Sequence, residues 1–226
     1  MKQLPLAIGA IGAEPEQSFE NFLPGANGQA LMHLLGLSAG AAPVYLWGPA
    51  GSGKTHLLHA LVQRLAQNGA RAGWFSADAA TPWDFDARWS VIVIDLCDRL
   101  GADQQQAAFA LFVEAATHGT AVVAAGRVPP VDLPLREDLR TRLGWGHVFG
   151  MLPLTENETR SALRREADRR GVFLSDEVMD YLLTRFERDL KHLMALLERL
   201  DQFSLANKRA ITVPMLKQML AEEGGA

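Results

Sequence analysis

The chain has 226 residues, 48% hydrophobic and 21% charged, the balance of an ordinary folded protein rather than a disordered or collagen-like one. Lys and Arg number 22 against 26 Asp and Glu, a net charge of -4, so the basic excess of an autonomous DNA-binding protein is missing. A single cysteine, Cys97, excludes an internal disulfide, a Cys-rich zinc site and a redox pair, and fits a reducing, cytoplasmic compartment.

Residues 1–16 read as a tail. Lys2 and the apolar stretch to Ala13 superficially match a short secretion signal, but Pro5, Gly9 and Gly12 break it as a helical segment. No run approaches the ~18 apolar residues of a membrane span, so no membrane partner is expected. Five short apolar runs bounded by turn signals, 44–47, 72–75, 91–94, 121–124 and 147–152, are expected strands. The first four are nearly continuous in hydrophobicity, as buried parallel strands are. Residues 54–67 place Leu57, Leu58, Leu61, Val62 and Leu65 at helical spacing and close on Asn68-Gly69. A second helical pattern runs over 103–117 through Ala107, Phe109, Leu111, Phe112 and Ala115. Strands alternating with helices predict an α/β domain with a parallel five-stranded sheet over residues 17–153. After Pro153 only helices are expected, at 156–170, 176–186 behind a Ser175 cap, 189–206 and 213–221, forming a small helical domain over 154–226. Its acidic and basic residues nearly balance, so it offers no net positive charge to a phosphate backbone.

Gly48-Pro49-Ala50-Gly51-Ser52-Gly53-Lys54-Thr55 fits G-x-x-x-x-G-K-[ST] between an apolar strand and a helix, the context this pattern requires. Glycines let the backbone curl so that its N–H groups converge on a polyphosphate, and the helix N-terminus adds partial positive charge. Lys54 would reach the β- and γ-phosphates of ADP or ATP, and the Thr55 hydroxyl would ligate Mg²⁺. Val91-Ile92-Val93-Ile94-Asp95 supplies an acid at the end of a buried strand, where it can hold the magnesium's water shell. Many such ATPases carry a second acid at the next position, to polarise the attacking water; here it is Leu96, which can accept no proton. Asp98 is close in sequence, but a strand end does not obviously aim it. Nucleotide binding with weak or no intrinsic hydrolysis is therefore expected.

The loop with His56-Leu57 behind it, Ser18-Phe19-Glu20-Asn21-Phe22 before it, and Arg140-Thr141-Arg142-Leu143-Gly144-Trp145-Gly146 together resemble the AAA+ domain of the bacterial replication initiator DnaA, over about residues 17–220. DnaA continues into a helix-turn-helix domain, for which the residues after 220 leave no room. The chain is in this respect similar to the Hda-type regulatory inactivators of DnaA. The resemblance implies an AAA+ base and helical lid, with the nucleotide between them at the carboxyl ends of the strands and His56 and Lys191 among its contacts. It implies that Arg142, flanked by Arg140, is an arginine finger offered to ATP on a DnaA molecule; from the residues alone, an arginine there is a surface salt-bridge partner. It further implies that Gln3-Leu4-Pro5-Leu6-Ala7-Ile8 docks on the β sliding clamp of DNA polymerase III, a short extended peptide filling a small apolar pocket. Partners so implied are DnaA, the clamp and a possible homo-oligomer, and the role is inhibition of a second round of initiation.

Three departures from that pattern bear on the γ-phosphate. The strand that in the family ends in Ser/Thr-x-Asp-Arg reads Ala124-Ala125-Gly126-Arg127; Lys191 stands for an arginine; and Leu96 is the third. None affects grasp of a diphosphate, so ADP is expected to be held productively. Two alternatives are an AAA+ helicase loader similar to DnaC, and an adaptor for clamp and DnaA that has lost its nucleotide response. His33, His59, His118 and His147 show no metal-ligand spacing with one another, and His56 and His59, three apart on one helix, lack a third ligand. The aromatic stretch Trp74, Trp83, Phe85 and Trp89 reads as packing or a partner surface, and Arg164, Arg165, Arg169 and Arg170 as a solvated, salt-bridged helix face.

Overall fold

The computed structural model describes residues 17–186 and 189–224, so the candidate clamp peptide at 3–8 lies outside the described residues. Helix α1 (Gly28–Leu35) precedes β1 (Val44–Trp47), and α2 (Lys54–Gln67) leads to β2 (Arg71–Ser76) and β3 (Trp89–Asp95). Then follow α3 (Ala102–His118), β4 (Ala121–Gly126), α4 (Glu137–Trp145) and β5 (His147–Gly150). The five strands form one parallel sheet in the order β2-β3-β4-β1-β5. β3 and β4 are buried on both faces because helices cover each side, which is why their sequences are apolar without alternation. β5 closes one edge and is mostly exposed.

Leu57, Leu58 and Leu61 of α2 pack with Leu34 of α1 on one face of the sheet. On the other, Leu111 and Phe112 of α3 pack with Leu139 and Leu143 of α4 around Tyr45, Ile92 and Ile94. Trp83 is buried there, and Trp74, Phe85 and Trp89 are partly buried against the two clusters, so of the two readings of the aromatic stretch the structure contains packing. Two helices have no counterpart in the sequence reading. α1 opens on Gly28 without a side-chain cap, and nine-residue α4 contains Gly144 and buries only Leu139 and Leu143, too little periodicity to register.

The lid comprises α5 (Glu156–Arg169), α6 (Asp176–Arg185), α7 (Leu190–Asn207) and α8 (Val213–Gly224) around a core of its own that includes Leu163, Leu182, Leu193 and Leu197. A capping box starts α5, with Thr155 Oγ1 accepting from the Glu158 N–H and Glu158 Oε2 accepting from the Thr155 N–H. Arg169 and Arg170 pair with Glu166, and Arg164 with Asp176, a solvated face as read. Just before the chain enters the lid, Asn27 Nδ2 donates to Leu152 O at 2.8 Å and Leu152 N–H donates to Asn27 Oδ1 at 2.8 Å. Among the described residues no helix is long and apolar enough to cross a membrane.

Candidate nucleotide site

The loop begins where β1 stops. Trp47 pairs with Gly126 in the sheet, Gly48 N–H donates to Gly126 O at 3.3 Å, and Met151 N–H donates to Trp47 O at 2.6 Å. Gly48 has φ +153°, and a Cβ there would lie 2.2 Å from Met151 O, so no side chain fits. Gly51 and Gly53 take left-handed φ values of +74° and +90°, which turn the backbone into α2. No side chain caps α2, whose first-turn N–H groups thus keep the donor capacity and partial positive charge that suit an anion.

Lys54 is 9% exposed, and its Nζ donates to Gly48 O and Pro49 O at 2.7 Å each and to Ser52 Oγ at 3.2 Å. Burial pulls it below the ordinary lysine range, opposed by the carboxylates of Asp95 and Asp98 and reinforced by the Arg127 guanidinium. Across the sheet, Thr55 Oγ1 donates to Asp95 Oδ2 at 2.8 Å, bringing together the hydroxyl and carboxylate that magnesium would need. Asp95 Oδ1 accepts from the Leu96 N–H at 2.8 Å. The residues present therefore fit a magnesium nucleotide: loop N–H groups and Lys54 for the phosphates, Thr55 and Asp95 for the metal.

His56 Nε2 lies 2.9 Å from Ser18 O and its ring 5.3 Å from Phe22, which in turn packs beneath Gly53. The structure thus ties His56 to the segment preceding α1. On the lid side, Asp189 caps α7 by accepting from the Lys191 N–H at 3.0 Å and lies 3.7 Å from where a Cβ on Gly51 would be. Lys191, exposed, is therefore carried on the helix end that faces the loop.

The end of β4 explains one departure from the family pattern. A Cβ on Gly126 would meet the Tyr45 hydroxyl at 2.2 Å, and that hydroxyl, fully buried, donates to Val128 O at 3.0 Å. Any side chain at 126 must displace it. Gly126→Ala is expected to lose about 1–3 kcal/mol in urea denaturation, with part of that recovered when Tyr45→Phe removes the hydroxyl.

Asp98, which a strand end does not obviously aim, is turned inward by the backbone that follows β3. Leu96 adopts a left-handed conformation (φ +56°) and a short 3-10 turn over Cys97–Arg99 folds the chain back toward β4. Asp98 Oδ1 accepts from the Arg127 N–H at 3.0 Å. Sequence reasoning set Asp98 aside and missed the places of Tyr45 and Arg127; the available signal was a glycine where a polar residue is usual.

Arg142 lies away from this cluster. Its Cζ stacks 5.0 Å from the Phe109 ring centroid on α3. Among the described residues no carboxylate pairs with Arg142 or Arg140, so the salt-bridge alternative is not what the structure contains. α4 ends at the amino end of β5, where His147 N–H donates to Pro43 O at 2.8 Å, while the phosphate loop leaves the carboxyl end of neighbouring β1. Arg142, within a turn of that helix end, lies beside Trp145, which is 78% exposed.

Residues 156–220 match the family model described as the Hda lid domain, and residues 13–79 match that of the bacterial DnaA ATPase domain. Among solved structures, domain III of the Thermotoga maritima replication initiation protein DnaA is similar at TM-score 0.73 and 20% identity, over 94% of this chain and 98% of its own. AMPPCP-bound DnaA from Aquifex aeolicus follows at TM-score 0.70 and 19% identity, over 93% of this chain and 70% of its own. The RuvB Holliday junction branch migration motor of Thermotoga maritima is similar at TM-score 0.65 and 17% identity, over 92% and 72%. At such identities the structural likeness speaks for fold alone, the AAA+ base with its lid. The two family matches mark the chain as a DnaA-related AAA+ protein with an Hda-type lid.

Proposed function

We propose that this protein regulates DnaA-dependent initiation of replication, binding ADP in its own loop and supplying Arg142 to ATP held by a DnaA molecule. The observation that carries this reading is the placement of Arg142: stacked on Phe109, without a carboxylate partner among the described residues, and toward the end of the sheet opposite its own phosphate loop. A guanidinium so placed is available to a neighbouring subunit, and the exposed Trp145 beside it offers apolar area for that contact. In phosphoryl transfer, charge spreads over the equatorial oxygens of the migrating group, and an arginine supplied in trans stabilises it.

Within the protein's own site the residues bind rather than hydrolyse. Lys54 and the loop N–H groups hold the phosphates, and Thr55 and Asp95 hold Mg²⁺, which neutralises phosphate charge when bound. Leu96 supplies no base, so the product diphosphate suits the site. Residues 3–8 would tether the complex to the sliding clamp, which raises the local concentration of Arg142 near DnaA on DNA.

The test is hydrolysis of DnaA-bound ATP in the presence of clamp loaded on DNA, with and without this protein. Stimulation is the expected result. Fast turnover by the isolated protein together with single-stranded DNA binding would instead indicate a helicase loader, and binding of clamp and DnaA indifferent to nucleotide would indicate an adaptor. Replacing Gln3 and Leu4 by Ala is expected to abolish clamp binding in a surface-immobilised clamp assay; unchanged binding would remove the tether from this scheme.

A further inference from the structure

Beyond the loop itself, Lys54 is acted on by Asp95, Asp98 and Arg127. Asp95 is engaged by Thr55 and by the Leu96 N–H, whereas Asp98 is engaged by the Arg127 N–H. Its carboxylate is held in place at the end of the sheet from which the phosphate loop leaves. The side chain is 13% exposed, Oδ1 takes the Arg127 N–H at 3.0 Å, and the same oxygen is 3.3 Å from where a Cβ on Gly126 would be. Gly126 is the residue whose carbonyl anchors Gly48, so Asp98 stands beside the strand end that holds the start of the phosphate loop.

Arg127 does not neutralise this carboxylate fully. Its Nε is 3.8 Å from Asp98 Oδ2, and its side chain is 60% exposed, so water screens it. The carboxylate favours the charged ammonium of Lys54, and the guanidinium opposes it. A buried fixed charge is screened far less than an exposed one.

We propose that Asp98 sets the nucleotide preference of this site, opposing a γ-phosphate beside Lys54 while leaving a diphosphate in the loop, with Arg127 as the partial counterweight. The inference rests on the loop's being a nucleotide site and deepens the ADP-bound reading by naming the residue responsible. A third phosphate adds negative charge at the end of the site where Asp98 lies, whereas the diphosphate is held by loop N–H groups and Lys54. Like charges several ångströms apart in a partly buried site repel enough to change affinity by about an order of magnitude.

The experiment is calorimetric titration of the full chain with ADP and with AMPPCP, which avoids turnover, for the native protein, Asp98→Asn and Arg127→Ala. The native protein is expected to bind ADP more tightly. Asp98→Asn retains an oxygen for the Arg127 N–H and should tighten AMPPCP about tenfold while ADP changes less than about twofold. Arg127→Ala should move the ADP-to-AMPPCP ratio the other way, and carries the test if Asp98→Asn does not fold. A merely structural role for the pair would move both variants in one direction, and that result overturns the inference. So does an unchanged ratio in an Asp98→Asn protein that binds ADP normally, a result that leaves the nucleotide site itself standing. Binding of neither nucleotide by the native protein would overturn the loop reading and the inference together.

Discussion

Replacing Arg142 by Ala is expected to return stimulated hydrolysis of DnaA-bound ATP to the rate of DnaA alone, a loss of about 10³-fold or more if stimulation has the size of other arginine fingers. The variant should retain ADP affinity, clamp binding and thermal stability, because Arg142 touches none of the loop residues and its guanidinium contributes only a stacking contact with Phe109. Arg142→Lys keeps the charge without the planar fork and should recover only a small part of the rate. Phe109→Ala separates placement from chemistry: losing a cation–π contact worth about 0.5–1 kcal/mol should slow stimulation by roughly two- to fivefold. If Arg142→Ala stimulates like the native protein, the assignment of the finger is wrong, and the neighbouring Arg140, also without an ion pair among the described residues, is the next residue to replace.

The second large effect is at Lys54. Its ammonium donates to two loop carbonyls and a hydroxyl, so the cation is already positioned where phosphates would converge. Charge-assisted hydrogen bonds contribute about 1.5–3 kcal/mol each, so Lys54→Ala should weaken ADP by roughly 10²-fold or more. Thermal shift reads the loss directly. Saturating ADP should raise the melting temperature of the native protein, since a ligand that binds only the folded state stabilises it, and should leave the variant unmoved at the same concentration. A variant with a full ADP-induced shift would mean that the loop does not hold the nucleotide.

The phosphate loop and the Asp95 strand were legible because their chemistry is carried by contiguous residues. A glycine pattern followed by Lys-Thr needs no knowledge of the sheet, and the structure adds that Thr55 and Asp95 meet in one hydrogen bond. The expected strands agree with β1 to β5 to within about two residues, and β1, β3 and β4 do so because buried parallel strands declare themselves as unbroken apolar runs. The expected helix over 54–67 coincides with α2, and the lid helices agree to within a few residues. What escaped was set by contacts distant in sequence. Tyr45 and Gly126 are neighbours only because β1 pairs with β4, so nothing local explains that glycine. Asp98 depends on a left-handed leucine, a conformation unfavourable for a side chain with a Cβ and unreadable from composition. The stacking of Arg142 on Phe109 joins two helices whose approach depends on the core between them.

The paired hydrogen bonds between Asn27 and Leu152 have a mechanical corollary. A carboxamide that satisfies both the N–H and the C=O of one residue acts as a pin: Leu152 is held to the segment that enters α1, and Asn27 is itself 6% exposed. Any swing of the helical lobe must then pivot on the C-terminal side of that pin, over residues 153–155, leaving β5 and α4 at rest. Opening the lobe to exchange nucleotide would thus leave the distant guanidinium of Arg142 undisturbed, so that unloading one face need not disengage the other.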